Sequence, residues 1–537
     1  MTHLIVHGCC NDASCVPVCP VDCIHPTPDE PGFARAEQLY VDPRACIDCG
    51  ACLDACPADA VRTDLEITAA ELPYVEINER HFSGNPPLRV PPRPAPRFVD
   101  TPLRVAIVGA GPAGCYAAAA LLEHSTARIS MIDRLPTPHG LLRAGVAPDH
   151  QATKKVATYF DSVLSHPSVS CYFNVTVGEH VGLDELRAHH DAVIWAAGAP
   201  GDRELGIPGE DLPGCHSARE FVGWYNAHPD FVSTAFDFTG PRALVIGNGN
   251  VGLDVARMVV RDTGELAHTD MAAHALAALR ASGIKEVIVA GRRGPEHAAY
   301  TLPELLALTQ LDGVRVRTEH HEVSDACDAA PDDLALRLVK DMSSNDRASA
   351  PRTVHLRYLL SPLTINGSAR VESVTFMRNE LDRDVSGVRL RPTGQTETIA
   401  TNLVLKAVGY RGRAVPGLPF DEASGTIPHV RGQIIHDGDP GFFCAGWIKR
   451  GPTGVIGSNK RCSLETVSTL LDVVSPESRD TGPESFTELV AARRLDYVDF
   501  AGWSRIRRAE EDRGLRCGTP RKKFTAVDDM IAIARTP

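Results

Sequence analysis

Short, continuous apolar runs that end in glycine and lead into a helical period recur along this chain. The first, Leu103-Arg-Val-Ala-Ile-Val108, passes through Gly109-Ala-Gly-Pro-Ala-Gly114 into an apolar helix from Cys115 to Glu123. A run that is apolar on both faces reads as a buried strand of a parallel sheet, since a half-solvated strand would alternate. Ala127 to Asp133 and Asp191 to Gly198 repeat the type. A second strand, turn and helix spans Ala243 to Arg257, with further buried runs at Glu286 to Gly291 and Leu403 to Gly409. Buried strands alternating with helices predict an α/β fold with two doubly wound units. Residues 1–83 lack this period, so a different, smaller fold is expected there.

Both turns carry G-x-G-x-x-G directly after a strand. In the first, Gly109 allows the tight bend, Gly111 lets the backbone approach a pyrophosphate, and Gly114 lets the helix pack on the strand. Asp133 closes the next strand, where a carboxylate accepts hydrogen bonds from a ribose diol and repels a 2′-phosphate, so this unit is read as holding FAD or NAD. In the second, Gly247, Gly249 and Gly252 make the turn, and the next strand ends in Arg292-Arg293. Two guanidiniums supply charge and paired donors to a 2′-phosphate, which points to NADP. The insertion from Asp262 to Ser282 lengthens the usual spacing. The glycine- and proline-rich loop that ends at His150 is expected to wall a flavin ring, with His150 within hydrogen-bonding reach.

At 537 residues, 43% hydrophobic and 23% charged, the composition is that of a multidomain globular protein. No apolar run reaches eighteen residues and the N-terminus lacks the pattern of a secretion signal, so a cytoplasmic location and no membrane partner are expected. The net charge of -13 is uneven: in residues 1–66 three Arg and no Lys face eight Asp and three Glu. Such a module is a poor nucleic-acid binder and suits a basic docking face. A rim of Lys449, Arg450, Lys154 and Lys155 is the expected counterpart. Six prolines between residues 86 and 96 predict an extended, semi-rigid tether.

Nine of the sixteen cysteines precede residue 57. Cys46-Ile-Asp-Cys49-Gly-Ala-Cys52-Leu-Asp-Ala-Cys56-Pro57 is C-x2-C-x2-C-x3-C-P, in which three thiolates wrap one iron-sulfur cluster and the fourth serves another. A partner run is present at Cys9-Cys10-Asn-Asp-Ala-Ser-Cys15-Val-Pro-Val-Cys19-Pro20. Cys19, Cys46, Cys49 and Cys52 are thus expected to hold a 4Fe-4S cluster. Cys15, Cys56 and either Cys9 or Cys10 should hold a second, 3Fe-4S or 4Fe-4S. A zinc ribbon would space its pairs more widely and lack the x3-C-P ending. Cys23 falls outside the pattern and reads as a free buried thiol.

Residues 1–83 resemble seven-iron or eight-iron bacterial ferredoxins, and matching the N-terminus to them favours Cys9 as the ligand. Residues 103–537 resemble ferredoxin-NADP reductases of the adrenodoxin reductase type, and the whole chain looks like a fusion of the two. The resemblance implies an α/β protein with two Rossmann-like dinucleotide-binding domains, the NADP domain inserted in the FAD domain, preceded by a small α+β ferredoxin domain. The corresponding divisions are 1–83, a linker at 84–102, FAD domain at 103–199 and 410–537, and NADP domain at 200–409. It further implies that Ala113, Asp133, Leu141 and Val177 line the FAD adenosine and pyrophosphate. Arg203, Gly247, Asn248, Gly249, Asn250, Val251, Arg292, Arg293 and Glu304 would contact NADP. Trp447 would stand where many such flavoproteins carry an Asp, and Gly454, Val455 and Ile456 would meet the isoalloxazine and nicotinamide. The implied activity is NADPH:ferredoxin oxidoreduction, with hydride passing to the flavin, single electrons passing to a tethered or external one-electron acceptor, and no protein nucleophile. The alternatives are an electron-input subunit like that of glutamate synthase, and a non-catalytic redox sensor.

Overall fold

The buried runs pair as their pattern requires. In the computed structural model, which describes residues 2–83, 90, 96–100, 102–344, 350–384, 387–436, 439–476, 485–494 and 496–536, Arg104–Val108 lies parallel between Arg128–Asp133 and Ala192–Trp195. Val169–Phe173 and Phe442–Cys444 extend this sheet in parallel on its two sides, and Gln433–Ile434 and His429–Val430 finish it antiparallel. One sheet therefore draws strands from before residue 196 and after residue 428. Between them lies a second sheet, parallel throughout, in the order Cys215–Ser217, Leu403–Lys406, Arg242–Ile246, Glu286–Ala290, Arg352–Arg357 and Val314–Thr318. The insertion expected from the sequence is thus observed.

Three features were not foreseen. The strands Leu360–Asn366, Ser373–Asp384 and Gly387–Ala400 form an antiparallel sheet. It packs Val374, Phe376 and Ile399 on Leu244, Ile246 and Ile288, covering a face of the second parallel sheet that would otherwise meet water. The insertion after Asp262 forms two short helices, Thr263–Leu266 and Ala273–Arg280. The polar C-terminal stretch holds a helix, Phe500–Leu515, whose Trp503 is fully buried and donates through Nε1 to Asp161 Oδ1 at 2.8 Å. Two turns along, Glu510 is also buried, in a bidentate pair with Arg143 at 2.5 and 2.8 Å.

The N-terminal module is small and α+β. His3–Ile5 pairs antiparallel with Val61–Thr63, Ile24–His25 pairs with Tyr40–Val41, and the helices are Ala51–Ala55 and Pro73–His81. Ile5, Ile24, Phe33, Leu39, Val41 and Val61 form a core that includes Cys15, Cys23 and Cys52, with Cys9, Cys19, Cys46 and Cys56 packed against it. The tether falls largely outside the described residues.

The module seats on both larger units. The Gly457 N–H donates to the Cys10 carbonyl at 2.7 Å, Lys155 Nζ meets Asp59 at 2.6 Å, and Lys460 Nζ meets Ser14 Oγ at 2.9 Å. On the inserted unit, Arg337 pairs with Glu76 at 3.0 Å, and Leu4, Val6, Tyr74 and Ile77 pack with Leu306. The expected basic rim is therefore corrected. Lys449 is buried against Glu465 at 2.7 Å and Lys154 against Asp270 at 2.6 Å, leaving Lys155 alone of the four to reach an acid of the module. A buried ammonium needs an adjacent carboxylate: Lys449 finds one in its own unit and Lys154 finds one across the seam on the inserted unit, neither on the N-terminal module.

Burial alone would raise the pKa of Glu510, but Arg143 holds it below the ordinary carboxylate range. A carboxylate stabilised in this way contributes fully above its unfolded pKa and loses its contribution as pH falls through the folded value. Glu510→Gln should therefore cost about 3 kcal/mol at neutral pH by stranding Arg143. Denaturant unfolding followed by circular dichroism should show that gap narrowing below about pH 4.

Candidate nucleotide and cluster sites

Each glycine turn is built by contacts that exclude a side chain. Gly109 has φ +109°, and an added Cβ there would lie 2.6 Å from the Ala196 carbonyl oxygen; one at Gly114 would lie 1.9 Å from the Gly109 oxygen. The helix Pro112–His124 follows with Gly111 at its N-cap and no side chain bonded to its first turn. Its leading N–H groups are thus available to an anion at the positive end of the helix dipole. Gly140 comes within 3.1 Å of Gly111 Cα, measured from an added Cβ, so two backbone loops form the walls of one narrow cradle.

Asp133 accepts from the Ala110 N–H through Oδ2 at 2.8 Å and from the Leu135 N–H through Oδ1 at 3.0 Å. Burial raises its pKa, against these two donors. The carboxylate thus pins the glycine turn itself, and each oxygen keeps a lone pair for a ribose hydroxyl. Of the other residues expected here, Ala113 is buried, Val177 is half-buried and Leu141 is exposed beside Gly140.

The second turn repeats the first. Gly247 has φ +115°, and an added Cβ at Gly252 would lie 2.2 Å from the Gly247 oxygen. The helix Asn250–Val260 starts after Gly249 without a side-chain cap. Arg292 and Arg293 follow the adjacent strand Glu286–Ala290, exposed, and neither guanidinium has an ion pair among the described residues. Arg203 is exposed as well, its backbone N–H donating to the Gly409 oxygen at 3.1 Å. Glu304 sits deeper, against Arg257 Nη1 at 3.3 Å and His7 Nε2 at 3.3 Å.

The segment after strand Phe442–Cys444 returns to the first cradle. An added Cβ at Gly446 would lie 2.5 Å from Ala113 Cβ, and Ser463 Oγ donates to the Ala113 oxygen at 2.8 Å. Trp447 stacks on Tyr410 with centroids 5.4 Å apart and donates through Nε1 to the Thr453 oxygen at 3.2 Å. Gly454 has φ +77°, and the Val455 N–H donates to Ser458 Oγ at 3.1 Å. Arg450 Nη2, about 4 Å from the Cβ position of Gly454, is buried without a hydrogen-bond partner among the described residues. A buried donor aimed at a glycine-walled cradle fits a flat, oxygen-bearing ring system there. His150 accepts through Nε2 from Arg257 Nη2 at 2.7 Å, and burial followed by the Arg257 charge lowers its pKa to about 3, so it is neutral.

In the N-terminal module, Cys19, Cys46, Cys49 and Cys52 line one cavity together with Cys23. Backbone N–H groups already point at sulfur there, from Cys23 to Cys19 at 3.3 Å and from Asp48 to Cys46 at 3.4 Å. Gly50, with φ +78°, starts the helix that carries Cys52. Cys9, Cys15 and Cys56 pack together elsewhere in the same core. Cys10 instead joins the core of the first unit, with Ala110, Ala113 and Tyr116. Burial pushes the Cys9 and Cys52 thiols up to about 11, so a thiolate at these positions calls for bound cations, as iron supplies.

Sequence reading missed Gly140, Gly446, Tyr410 and Gly457. The doubled glycine-proline punctuation around Gly140 and Gly451 was the available signal. Nothing local marks Gly457, whose neighbours in space are Cys10, Asn11 and Asp12.

Residues 103–278 match the family described as pyridine nucleotide-disulphide oxidoreductase, and residues 39–62 match a 4Fe-4S binding domain. A probable ferredoxin/ferredoxin–NADP reductase of Mycobacterium tuberculosis is 44% identical over 99% of this chain and 95% of its own length. The NADPH:adrenodoxin oxidoreductase of Arabidopsis thaliana mitochondria is 38% identical over 81% of this chain and 95% of its own. A structure of Mycobacterium tuberculosis FprA in complex with NADPH matches at 42% identity with a TM-score of 0.77, covering 81% of this chain and 100% of that one. No helix among the described residues is long and apolar enough to cross a membrane. Cradle, paired glycine turns, cysteine cavity and full-length relatives converge: the chain belongs to the ferredoxin/ferredoxin–NADP reductases, flavoprotein oxidoreductases of the adrenodoxin reductase type joined to a 4Fe-4S ferredoxin domain.

Proposed function

We propose that this enzyme takes hydride from NADPH onto FAD and delivers single electrons to its own ferredoxin domain, and from there to an external ferredoxin or other one-electron acceptor protein. The observation that carries this reading is the seating of the Cys9–Ser14 loop on Gly457, directly after Gly454, Val455 and Ile456. A ferredoxin domain placed there lies against the segment assigned to the flavin and nicotinamide rings.

FAD, when bound, would accept one hydride, an electron pair with its proton, and release the two electrons one at a time. The chain's own residues orient and shield. The free N–H groups after Gly111 hold the pyrophosphate, with Asp133 on the ribose and Ala113, Leu141 and Val177 along the adenosine. Arg292 and Arg293 hold the 2′-phosphate, while Arg203, Asn248, Val251 and Glu304 bound the rest of NADP. Trp447, stacked on Tyr410, would stand beside the flavin segment. The domains follow the divisions 1–83, 103–199 with 410–537, and 200–409.

Cys19, Cys46, Cys49 and Cys52 hold a 4Fe-4S cluster in the shared cavity. Cys9, Cys15 and Cys56 hold the second, and a set of three thiolates matches the ligand count of 3Fe-4S. Cys10, turned into the FAD domain, takes no part.

Anaerobic titration with NADPH, followed by flavin absorbance and electron paramagnetic resonance, tests the function: flavin bleaching should be accompanied by reduced-cluster signals, and flavin reduction with silent clusters would refute it. Arg292→Ala/Arg293→Ala should raise KM for NADPH by about ten- to a hundredfold, through loss of charged hydrogen bonds, and leave KM for NADH unchanged. In iron analysis, Cys9→Ser should lose one cluster and Cys10→Ser should keep both.

A further inference from the structure

One helix of the NADP domain, Leu302–Thr309, is gripped by the ferredoxin domain at three points. Its Leu302 N–H donates to Glu37 Oε2 at 3.0 Å. Its Glu304 Oε1 accepts from His7 Nε2 at 3.3 Å. Its Leu306 packs among Leu4, Val6, Tyr74 and Ile77. The start of the same helix also reaches the second glycine turn. The N–H of Thr301, its N-cap, donates to Asn250 Oδ1 at 2.8 Å, and Gly249 forms a bridge with Ala299. Glu304 Oε2 also pairs with Arg257, on the helix that Asn250 opens.

His7, His150 and Glu304 together have the composition of a cation site. A cation is nevertheless not what they hold, because the Arg257 guanidinium already donates to His150 Nε2 and to Glu304. The ring of His7 stands edge-on to that of His150, with centroids 4.8 Å apart. The N-terminal segment is itself fixed on the FAD domain, where Thr153 Oγ1 donates to the Gly8 oxygen at 3.4 Å. A residue of the ferredoxin domain thus completes a junction of all three domains.

We infer that seating of the ferredoxin domain sets the affinity of the NADP site, with His7 as the positioning residue that holds Glu304 and, through the helix, Asn250. This rests on the assignment of Gly247 to Val251, Arg292, Arg293 and Glu304 as nucleotide contacts. Seated, the ferredoxin domain holds the helix with Asn250 and Glu304 directed at the nucleotide; unseated, both lose an anchor. Coupling free energy is reciprocal, so bound nucleotide tightens the seat by the same factor. The reductant would then hold the electron acceptor in place while it is being used.

The test uses the full chain with flavin and iron bound. The dissociation constant of NADP+ is read from the perturbation of flavin absorbance in the oxidised enzyme, without turnover. His7→Ala should weaken NADP+ binding about fivefold or more, and His7→Gln, whose amide still donates to Glu304, should restore most of the loss. Glu37→Ala, remote from the cysteine runs, should weaken binding in the same direction and guards against loss of a cluster in the His7 variants. In hydrogen exchange, NADP+ should protect residues 72–81 in the wild type and protect them less in His7→Ala. Unchanged NADP+ affinity in both His7→Ala and Glu37→Ala, with Arg292→Ala/Arg293→Ala still weakening it, overturns the coupling alone. If the double arginine variant also binds NADP+ normally, the nucleotide assignment falls and the inference falls with it.

Discussion

A single backbone contact, the Gly457 N–H on the Cys10 carbonyl at 2.7 Å, fixes where the ferredoxin domain can be. An added Cβ at residue 457 would lie 2.1 Å from the Asp12 nitrogen and 2.3 Å from the Cys10 oxygen, so the two segments meet main chain to main chain. Backbone approach of this kind fixes position far more tightly than paired surface charges, which contribute little in water. The ion pairs of Lys155 with Asp59 and Arg337 with Glu76, and the hydrogen bond from Lys460 to Ser14, surround the contact and favour its orientation.

The same economy of space shapes both nucleotide cradles. In each, two glycines are required by carbonyl groups that would strike a Cβ, and the first helical turn is left without a side-chain cap. What distinguishes them is charge at the end of the neighbouring strand. Asp133 spends its carboxylate on the turn that it closes, whereas Arg292 and Arg293 stand exposed at the rim. One cradle is thereby suited to a cofactor that stays, the other to a charged nucleotide that exchanges with solvent.

Much of this was legible in the chain. Continuous apolar runs marked the parallel strands because both faces of each are covered, and the cysteine spacing marked a 4Fe-4S ferredoxin domain, whose four cysteines at 19, 46, 49 and 52 line one cavity. The antiparallel sheet from Leu360 to Ala400 was not legible, since its strands mix packed and solvent-facing residues with bulges that break the alternation. Nor was the role of the C-terminal helix. Trp503 and Glu510 are buried by partners from residues 139 to 161, more than three hundred positions away, and a helix with Arg and Glu on most of its turns reads as solvated. Cys9 and Cys10 pack in different cores, and adjacent residues differ in that only when two domains are in contact, which no local pattern reveals. His7 carried no signal because its partners, His150 and Glu304, lie on the other two domains.

The seat of the ferredoxin domain against the flavin-side segment is tested most directly by Gly457→Ala in the holoenzyme, with NADPH mixed rapidly and flavin and cluster signals followed separately. If the main-chain contact holds the domain in place, the added methyl group will displace the Cys10–Asp12 loop, and cluster reduction will slow by an order of magnitude or more relative to flavin reduction. Cluster reduction that keeps pace with the flavin as in the unaltered chain would contradict it.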